Sequence, residues 1–296
     1  MKAMKAAVLC AMALACVSLT ARSGMDAAQH RPQPPTSLRL YVFDCGTLEG
    51  DPARFNLRRE EMATSDMSVA CYLAVHPKGA LMWDTGAVPD ADVRSGNQRT
   101  RHRLVLTNAE RYVTLAKSLN TQLAEAGYAP GDISHVALSH YHYDHTANTN
   151  AFAGATWLVR QVERDAMFAD KPPDLVQRAT FDALRNSKTV IIKPDDYDVF
   201  GDGSVVIKWA PGHTPGHQVL FLKLAKTGAV LLSGDLYHYP EERTLDRVPT
   251  FDADPGQTRR TRTAIDAFLR KSRARLWIQH DVIANAALKK GPAFYD

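Results

Sequence analysis

The segment 136-VALSHYHYDH-145 decides both the fold and the chemistry predicted for this chain. Its first three residues form an apolar run typical of a buried strand, and three imidazoles and one carboxylate then follow within six residues. Because alternate residues of an extended segment lie on one side, His140 and His142 can reach the same cation. Asp144 and His145 come one turn later and face a neighbouring position. Imidazole and carboxylate together favour zinc, with iron and manganese as competitors, over a chance surface cluster.

Further imidazole and carboxylate groups also follow apolar runs with strand character. His213 lies in 211-PGHTPGH-217, where two glycines and two prolines within seven residues predict a tight loop. Asp235 and His280 each end a short apolar run. Taken singly, either residue is more typical of a cap or a loop. Their shared position at the ends of predicted strands indicates one ligand cluster along a sheet edge.

The hydrophobic pattern predicts an α/β protein with two sheets covered by helices. Strand-like runs lie at 38–43, 69–75, 81–83, 136–138, 156–159, 189–192, 205–209, 219–224, 230–232 and 276–278. Helices are predicted at about 109–126, 162–169, 175–184 and 258–269. The polar stretches 90–103 and 239–257 are long for connections within a compact domain, which predicts surface loops near a site or a partner. The alternative is that they are solvent-exposed loops without a functional role.

Composition and charge exclude some classes of protein. The chain has 296 residues, of which 45% are hydrophobic and 23% charged, as is ordinary for a globular protein. Its net charge of +4 is spread thinly, and without a basic stripe we expect no nucleic-acid partner. Cys45 and Cys71 lie in apolar runs, which is more typical of buried thiols than of a disulfide; a bridge remains the second alternative if the protein is exported.

The N-terminal residues have the pattern of a targeting signal. Lys2 and Lys5 precede an apolar run over 6–20 that is too short to span a bilayer comfortably. We therefore expect export to the periplasm or the medium, with no stable membrane span after processing. An uncleaved anchor and a lipid-anchored form at Cys16 are the alternatives. The predicted organisation is a signal peptide without a fixed cleavage site at 1–28, a Pro-rich linker or arm at 29–37, and the folded domain at 38–296.

The metal motifs taken together resemble the metallo-β-lactamase superfamily, whose signature H-x-H-x-D-H is followed by a downstream His, a bridging Asp and a last His. The resemblance covers about residues 38–296 and implies a four-layer αββα sandwich with two divalent metal ions at the sheet edges; zinc is expected, with iron, manganese or cobalt as alternatives. Asp84 resembles the buried Asp that orients a ligand imidazole in this family, and a turn carboxylate capping Gly86 is an equal alternative. The implied ligands are His140, His142 and His213 for one ion, Asp144, His145 and His280 for the other, and Asp235 as the bridge.

Within the superfamily the chain resembles the quorum-quenching N-acyl-homoserine lactonases, including W-I-Q-H-D at 277–281. Asp235 disfavours β-lactamases, which generally lack the bridging Asp, and His142 stands where flavin-linked di-iron reductases carry an acidic residue. The low net charge disfavours the nucleases, and little room remains after His280 for the helical domain of glyoxalase II. The resemblance implies that a metal-bridging hydroxide opens a lactone ester, with Asp144 as proton carrier.

The expected partner is a small-molecule ester or lactone, most of all an N-acyl-homoserine lactone, and a homodimer is an option. One alternative is a broad aryl esterase, phosphotriesterase or β-lactamase-like hydrolase of the same fold. Another is an exported metal-binding protein that has lost catalysis. The bridging Asp235 favours an enzyme, because a mere binding site would not require it.

One residue departs from the lactonase pattern. Typical lactonases place a Tyr three residues after the bridging Asp, where it donates to the substrate carbonyl; this chain has His238 there. His238 is expected to donate instead, or Tyr237 or Tyr239 to turn inward, and simple packing of the loop is the alternative. The acyl chain of the substrate is expected to lie against Tyr237, Tyr239, Val248 and Phe251.

Overall fold

The computed structural model describes residues 32–94, 98–106 and 109–296. The predicted signal peptide at 1–28, with Cys16, and the first part of the linker, 29–31, lie outside the described residues. Residues 32–37 form no helix or strand and lead into the first strand. Over the described ranges, no helix has the length and apolar character needed to cross a membrane.

A large mixed sheet forms one half of the fold. Its main path runs β4-β5-β1-β2-β3-β6-β7-β8, and β14 pairs with β1. Strands β1 to β5 pair antiparallel, whereas β3, β6, β7 and β8 pair parallel to one another. Their bounds are β1 Arg39–Glu49, β2 Asp66–His76, β3 Gly79–Trp83, β4 Thr100–Val105, β5 Glu110–Leu115, β6 His135–Ala137, β7 Thr156–Val159, β8 Thr189–Ile191 and β14 Phe294–Tyr295.

A second, smaller sheet forms the other half, in the order β13-β12-β11-β10-β9. Its strands are β9 Asp196–Asp198, β10 Val205–Trp209, β11 Gln218–Leu224, β12 Gly228–Leu232 and β13 Arg275–Trp277. The α-helices are α1 Leu119–Glu125, α2 Tyr143–Thr146, α3 Gln161–Met167, α4 Pro240–Thr244, α5 Pro255–Ser272 and α6 Val282–Ala286. Short 3-10 helices lie at Pro52–Phe55, Arg59–Glu61, Asp90–Asp92, Pro130–Asp132, Thr149–Phe152, Arg178–Thr180, Asp182–Asn186 and Gly234–Leu236.

Both sheets bury side chains on both faces, which produces the layered architecture. In β1, Leu40 packs between the two sheets, whereas its neighbour Tyr41 packs on the outer face. Ile207 of β10 belongs to the same inner core. Helix α1 covers the outer face of the large sheet through Leu123, and α5 covers that of the small sheet through Ile265. This arrangement confirms the predicted αββα sandwich.

Two of the four predicted helices are wrong. Residues 109–126 form β5 and then α1, because Val113 and Leu115 point into the core at strand spacing and the Ser118 side chain caps a new helix by accepting from Thr121 N. Residues 175–184 contain 3-10 turns instead, and Leu175 has a φ of +66°, which no α-helix accommodates. The sequence pattern also missed β4, β9 and β14, which are short or edge strands.

The expectation of free thiols is also wrong, because Cys45 and Cys71 form a disulfide with their Cα atoms 5.9 Å apart. In the register of β1 and β2, Cys71 lies opposite Phe43, two residues before Cys45. Phe43 and Cys45 are two residues apart in β1, so both side chains face the buried cluster that also contains Cys71. The apolar pattern indicates the face of each cysteine but not that β1 pairs with β2, which is what brings the two thiols together.

Candidate metal centre

The predicted ligands lie where strands of both sheets end. His140 and His142 follow β6 of the large sheet, and α2 then supplies Asp144 and His145. From the small sheet, the loops after β10, β12 and β13 supply the remaining ligands: His213, Asp235 and His280. The structure therefore brings together seven side chains that the sequence separates by up to 140 residues.

One group of ligand atoms consists of three imidazoles and a carboxylate: His140, His142, His213 and Asp235, all buried. His142 Nδ1 lies 2.8 Å from His140 Nε2 and 3.0 Å from His213 Nε2. Three ring nitrogens converging at these distances define a pocket for a cation, because their lone pairs otherwise face one another.

A second group lies beside the first and consists of Asp144, His145 and His280. Asp144 Oδ2 is 3.9 Å from His145 Nε2 and 3.7 Å from His280 Nε2. Both imidazoles are fully buried. Two buried His and Asp groups of this kind fit a dinuclear site.

Asp235 faces both groups at once. Its Oδ2 lies 3.4 Å from His140 Nε2 and 3.3 Å from His213 Nε2. Its Oδ1 lies 3.1 Å from His145 Nε2 and 3.0 Å from His280 Nε2. The two oxygens of one carboxylate thus point at two ligand sets, as a bridging ligand requires.

Unsatisfied polar atoms show that the residues fit a pair of cations. His145 Nε2, His280 Nε2 and Asp235 Oδ1 are buried and have no hydrogen-bond partner within the described part of the chain. Buried polar atoms without partners are costly, and in native proteins they are rare. Metal coordination would satisfy all three atoms.

The ring nitrogens that face away from the centre are held by fixed partners. His145 Nδ1 donates to Asp84 Oδ2 at 2.9 Å, and His213 Nδ1 donates to Asp252 Oδ1 at 2.7 Å. His280 Nδ1 donates to the Ser68 carbonyl at 2.7 Å. These hydrogen bonds leave each Nε2 free for a metal ion.

The two alternatives for Asp84 are resolved in favour of imidazole orientation. Besides His145, the carboxylate accepts from Ser139 N at 2.6 Å and from Gln279 Nε2 at 2.9 Å. It therefore ties the first ligand loop to the last one. Asp252, which has the same role at His213, was not found by sequence reasoning, since no motif or spacing marks it.

Two buried groups fix the loop 211-PGHTPGH-217. His217 Nδ1 donates to the Ala210 carbonyl and its Nε2 accepts from Asp235 N, both at 2.9 Å. Burial lowers the pKa of His217 to about 3, so the ring is neutral and orients Asp235 through its backbone. The carboxylate of Glu163 accepts from Tyr141 N at 3.0 Å and from Gly216 N at 2.8 Å, joining two ligand loops.

Electrostatics prepares the ligands for cations. Burial holds the pKa of His140 and of His142 well below the usual value, so both rings are neutral, as metal ligation requires. Burial also opposes charge at His145, but Asp235 and Asp84 outweigh it and raise the pKa of that ring well above the usual value. The surrounding imidazoles hold the pKa of Asp235 well below its usual value despite burial. A metal ion would therefore displace protons from this cluster.

The residues predicted to contact substrate divide into two sets. His238 faces the centre, with its Nε2 3.0 Å from Asp235 Oδ2, and it lines the adjoining cavity. Burial opposes its charge, but Asp235 and Glu242 raise the pKa of His238 to about 10. Tyr237 instead packs on the outer face of the small sheet, where the Arg262 guanidinium lies 4.3 Å from its ring centroid. The structure therefore does not bring Tyr237 to the cavity.

The cavity next to the ligands has a volume of about 280 Å³. Of the predicted acyl-chain contacts, Phe251 lines it, but Tyr239 and Val248 do not. The Tyr239 hydroxyl donates to the Ser65 carbonyl at 2.7 Å, and the Val248 carbonyl accepts from Asn56. The apolar lining that sequence reasoning missed comes from distant segments without a shared motif: Leu48, Phe55, Met67 and Leu175.

A sequence model of the metallo-beta-lactamase superfamily matches residues 64–280, well over half of the chain. The chain belongs to this superfamily. N-acyl homoserine lactonase AttM from Azorhizobium caulinodans is 29% identical over 272 residues, which is 88% of this chain and 100% of the relative. An N-acyl homoserine lactonase from Bacillus thuringiensis is 26% identical over 264 residues, which is 88% of this chain and 99% of the relative.

Solved structures of the superfamily share the fold. An N-acyl homoserine lactone hydrolase with N-hexanoyl-L-homoserine bound at its catalytic metal centre has a TM-score of 0.70 and 22% identity, covering 86% of this chain and 98% of the other. The dizinc quorum-quenching lactonase AidC has a TM-score of 0.59 and 18% identity, and the match covers 88% of this chain and 94% of AidC. Together with the buried ligand groups, the curated relatives support the predicted metal-dependent hydrolase.

Proposed function

We propose that this superfamily member is a dinuclear hydrolase that opens the ring ester of lactones, with N-acyl-homoserine lactones as the main substrates. The observation that carries the proposal is Asp235, whose two oxygens face two separate ligand groups. The names of the lactonase relatives supply the substrate class. Zinc is the proposed metal, because imidazole and carboxylate ligands suit it.

The chain's own residues have distinct roles in this reaction. A pair of divalent cations held by the two ligand groups would supply a water that is deprotonated near neutral pH and would polarise the ester carbonyl. His238 lines the cavity and would donate a hydrogen bond to the substrate carbonyl. Asp144 also lines the cavity and would carry a proton to the ring oxygen that leaves. Phe251 would pack against the acyl chain.

We also propose that the protein is exported after cleavage of the segment 1–28 and acts in the periplasm or the medium. The disulfide between Cys45 and Cys71 supports this, because disulfides persist in oxidising compartments. N-terminal sequencing of native material tests the cleavage, and a mature protein that starts at Met1 would contradict it. The same material, measured by light scattering, would test for a homodimer.

The central experiment measures hydrolysis of a substrate panel by metal-loaded protein, with a chelator-treated sample as control. The panel contains N-acyl-homoserine lactones, an aryl ester, a phosphotriester and a β-lactam. We expect the highest kcat/KM for a lactone and about two metal ions per chain by elemental analysis. Much faster turnover of an aryl ester or phosphotriester would reject the lactonase assignment and keep the dinuclear hydrolase.

The bridge itself is tested by Asp235→Ser, which removes both carboxylate oxygens. We expect loss of at least one metal ion per chain together with most of the hydrolysis. Two retained ions with unchanged turnover would show that Asp235 does not bridge.

A further inference from the structure

Two arginines line the cavity beside the candidate metal ligands, Arg54 and Arg111. Each is half-buried. The Arg54 guanidinium carbon lies 4.3 Å from the Phe251 ring centroid, and Phe251 in turn packs against His213 with ring centroids 5.6 Å apart. The Arg54 charge is therefore one aromatic ring away from the metal ligands.

The position of Arg54 is fixed by its backbone. Its carbonyl accepts from Thr250 N at 2.8 Å and from Thr250 Oγ1 at 3.0 Å. The 3-10 helix Pro52–Phe55 is thereby docked on the segment that carries Phe251. The guanidinium is held at the cavity wall, so it can serve as a recognition group.

Neither guanidinium has a carboxylate partner among the residues that the structure describes. The Arg54 side chain makes no hydrogen bond or ion pair within these ranges, and Arg111 Nη1 donates to a backbone carbonyl, that of Glu110, at 2.8 Å. Burial and the charge of Arg111 lower the pKa of Arg54, although the charges of Asp144 and Asp51 act in the opposite direction. An anion bound between the two guanidinium groups would relieve their repulsion.

The carboxylates around the cavity are already engaged elsewhere. Glu110, Arg111 and Tyr112 of β5 all line the cavity, and Tyr112 lies opposite Arg103 of β4. Glu110 pairs with Arg103. Glu49 pairs with Arg101 at 2.6 Å.

The remaining cavity carboxylate outside the ligand set is Asp51. It caps the 3-10 helix by accepting from Ala53 N at 3.1 Å, and it makes no ion pair with Arg54. Five carboxylates line the cavity: the candidate ligands Asp144 and Asp235, the paired Glu49 and Glu110, and the capping Asp51. Within the described residues, neither Arg54 nor Arg111 forms an ion pair with any of them.

We propose that Arg54 and Arg111 bind a carboxylate carried on the acyl chain of the substrate, so that the chain prefers lactones with an anionic acyl group. Guanidinium groups bind carboxylates through paired, charge-assisted hydrogen bonds, which a neutral acyl chain cannot form. This inference rests on the proposed function, since it names the substrate class of the same site.

The test compares two lactones that differ only in charge, N-glutaryl-homoserine lactone and its methyl ester on the glutaryl carboxyl. We expect metal-loaded wild-type protein to favour the carboxylate form in kcat/KM by about tenfold or more, the size of effect typical of a charge-assisted hydrogen bond. Arg54→Met and Arg111→Met should each remove most of this preference by raising KM. The kcat/KM for the methyl ester should fall much less than that for the carboxylate form.

Arg185→Met is the matched control. Arg185 also stacks on a phenylalanine, with its guanidinium carbon 4.4 Å from the Phe168 ring centroid, but it does not line the cavity. Its removal should leave the preference intact. Circular dichroism and metal content establish that each variant is folded, and Arg54→Lys, which keeps the charge without the planar fork, should retain part of the preference.

Equal turnover of the two lactones by wild-type protein would overturn the inference, as would an Arg54→Met variant that slows both lactones equally. The latter result would mean that the guanidinium serves a group common to both, such as the amide carbonyl. Calorimetry with the corresponding γ-lactam, which resists ring opening, separates the two proposals. If the wild type hydrolyses neither lactone but binds the lactam through Arg54, the proposed function fails and the carboxylate site stands; lactam binding that is insensitive to Arg54→Met overturns the site.

Discussion

A single hydrogen bond decides which nitrogen of His213 faces the metal centre. Asp252 Oδ1 accepts from Nδ1 at 2.7 Å, and Thr258 Oγ1 donates to the other carboxylate oxygen at 2.6 Å. Thr258 therefore holds the Asp252 carboxylate in the orientation in which it accepts from His213. Such partners of ligand imidazoles are typically as important as the ligands themselves.

We expect Asp252→Ala to weaken metal binding about 10- to 100-fold, because His213 loses both its orientation and its fixed tautomer. Titration of metal-free protein with zinc against a chromophoric chelator measures the affinity. Asp254→Ala in the same loop is the control: it removes the cap on Gln257 N and should lower stability without changing zinc affinity. Equal zinc affinity for the Asp252→Ala variant and the wild type would contradict the role of Asp252.

His238 allows a prediction about the reaction itself. His238→Ala should cost about 1–3 kcal/mol of transition-state stabilisation in lactone opening, because the carbonyl loses a buried donor. His238→Tyr should be tolerated better, since a phenol can donate as well. Metal content must be measured alongside kcat/KM, because His238 Nε2 also lies 3.0 Å from Asp235 Oδ2. Identical losses for the Ala and Tyr variants at full metal content would argue against donation.

The side chains of the candidate ligand groups were predictable from the sequence, whereas the residues that orient them were not, for a physical reason. The ligands stand in short motifs directly after apolar runs, so local spacing places them at strand ends. Asp252 meets His213 across 39 residues, and Arg54 reaches the cavity because a 3-10 helix docks on a remote loop. Contacts of that kind depend on how elements pack, which no local pattern contains.

At the scale of elements, helix α3 joins two loops that carry ligands. Its Glu163 is buried and accepts from the backbone of one loop at Tyr141 N and of the other at Gly216 N. The contact is tight, because a Cβ on Gly216 would lie 2.5 Å from Glu163 Cβ. The Thr214 hydroxyl also donates to this carboxylate at 2.9 Å. Burial raises the pKa of Glu163 to about 7, although the three donors favour the charged form.

This raised pKa predicts a pH dependence of stability. The folded protein binds the Glu163 proton more tightly than the unfolded chain does, so the contribution of Glu163 to the unfolding free energy falls as pH rises from about 4.5 to about 7. The expected change is about 3 kcal/mol across that window. Urea unfolding of metal-free protein at pH 5 and pH 8 measures it.

Glu163→Gln should make the stability of the metal-free protein less dependent on pH over the same window, because glutamine does not titrate. Asp165→Asn is the matched control on the same helix, where the exposed Asp165 accepts from Gln161 Nε2 at 2.7 Å. In the control variant, the unfolding free energy should change with pH as it does in the wild type. If the unfolding free energy of the Glu163→Gln variant depended on pH as strongly as that of the wild type, another group would be responsible for the pH dependence.

Strands and helices were predictable where a clear apolar run or a helical periodicity marks them, even for strands as short as β13. The run at 205–209 coincides with β10, and the helix predicted at 258–269 lies within α5. The helix predicted at 109–126 failed because β5 takes its conformation from pairing with β4 and β1, which overrides local propensity.

At the scale of the whole molecule, the disulfide ties together β1 and β2, two neighbouring strands of the large sheet. It closes a loop with a sequence separation of 26 residues. We expect the double variant Cys45→Ala, Cys71→Ala to lose about 3 kcal/mol of unfolding free energy, chiefly because the unfolded chain gains freedom. Urea unfolding with and without reductant measures this difference. If reductant did not change the unfolding free energy of the wild type, the contribution of the disulfide to stability would be contradicted.

The candidate ligands come from both halves of the sandwich, so bound metal ions would also have a mechanical role. His140, His142 and His145 belong to the large sheet, whereas His213, Asp235 and His280 belong to the small one. Ions bound by these residues would link the two halves of the sandwich. Hydrogen–deuterium exchange should therefore accelerate in the loops 139–146 and 211–217 together when the metal is removed by a chelator. Without metal, the protein would open locally between the two sheets before either sheet unfolds.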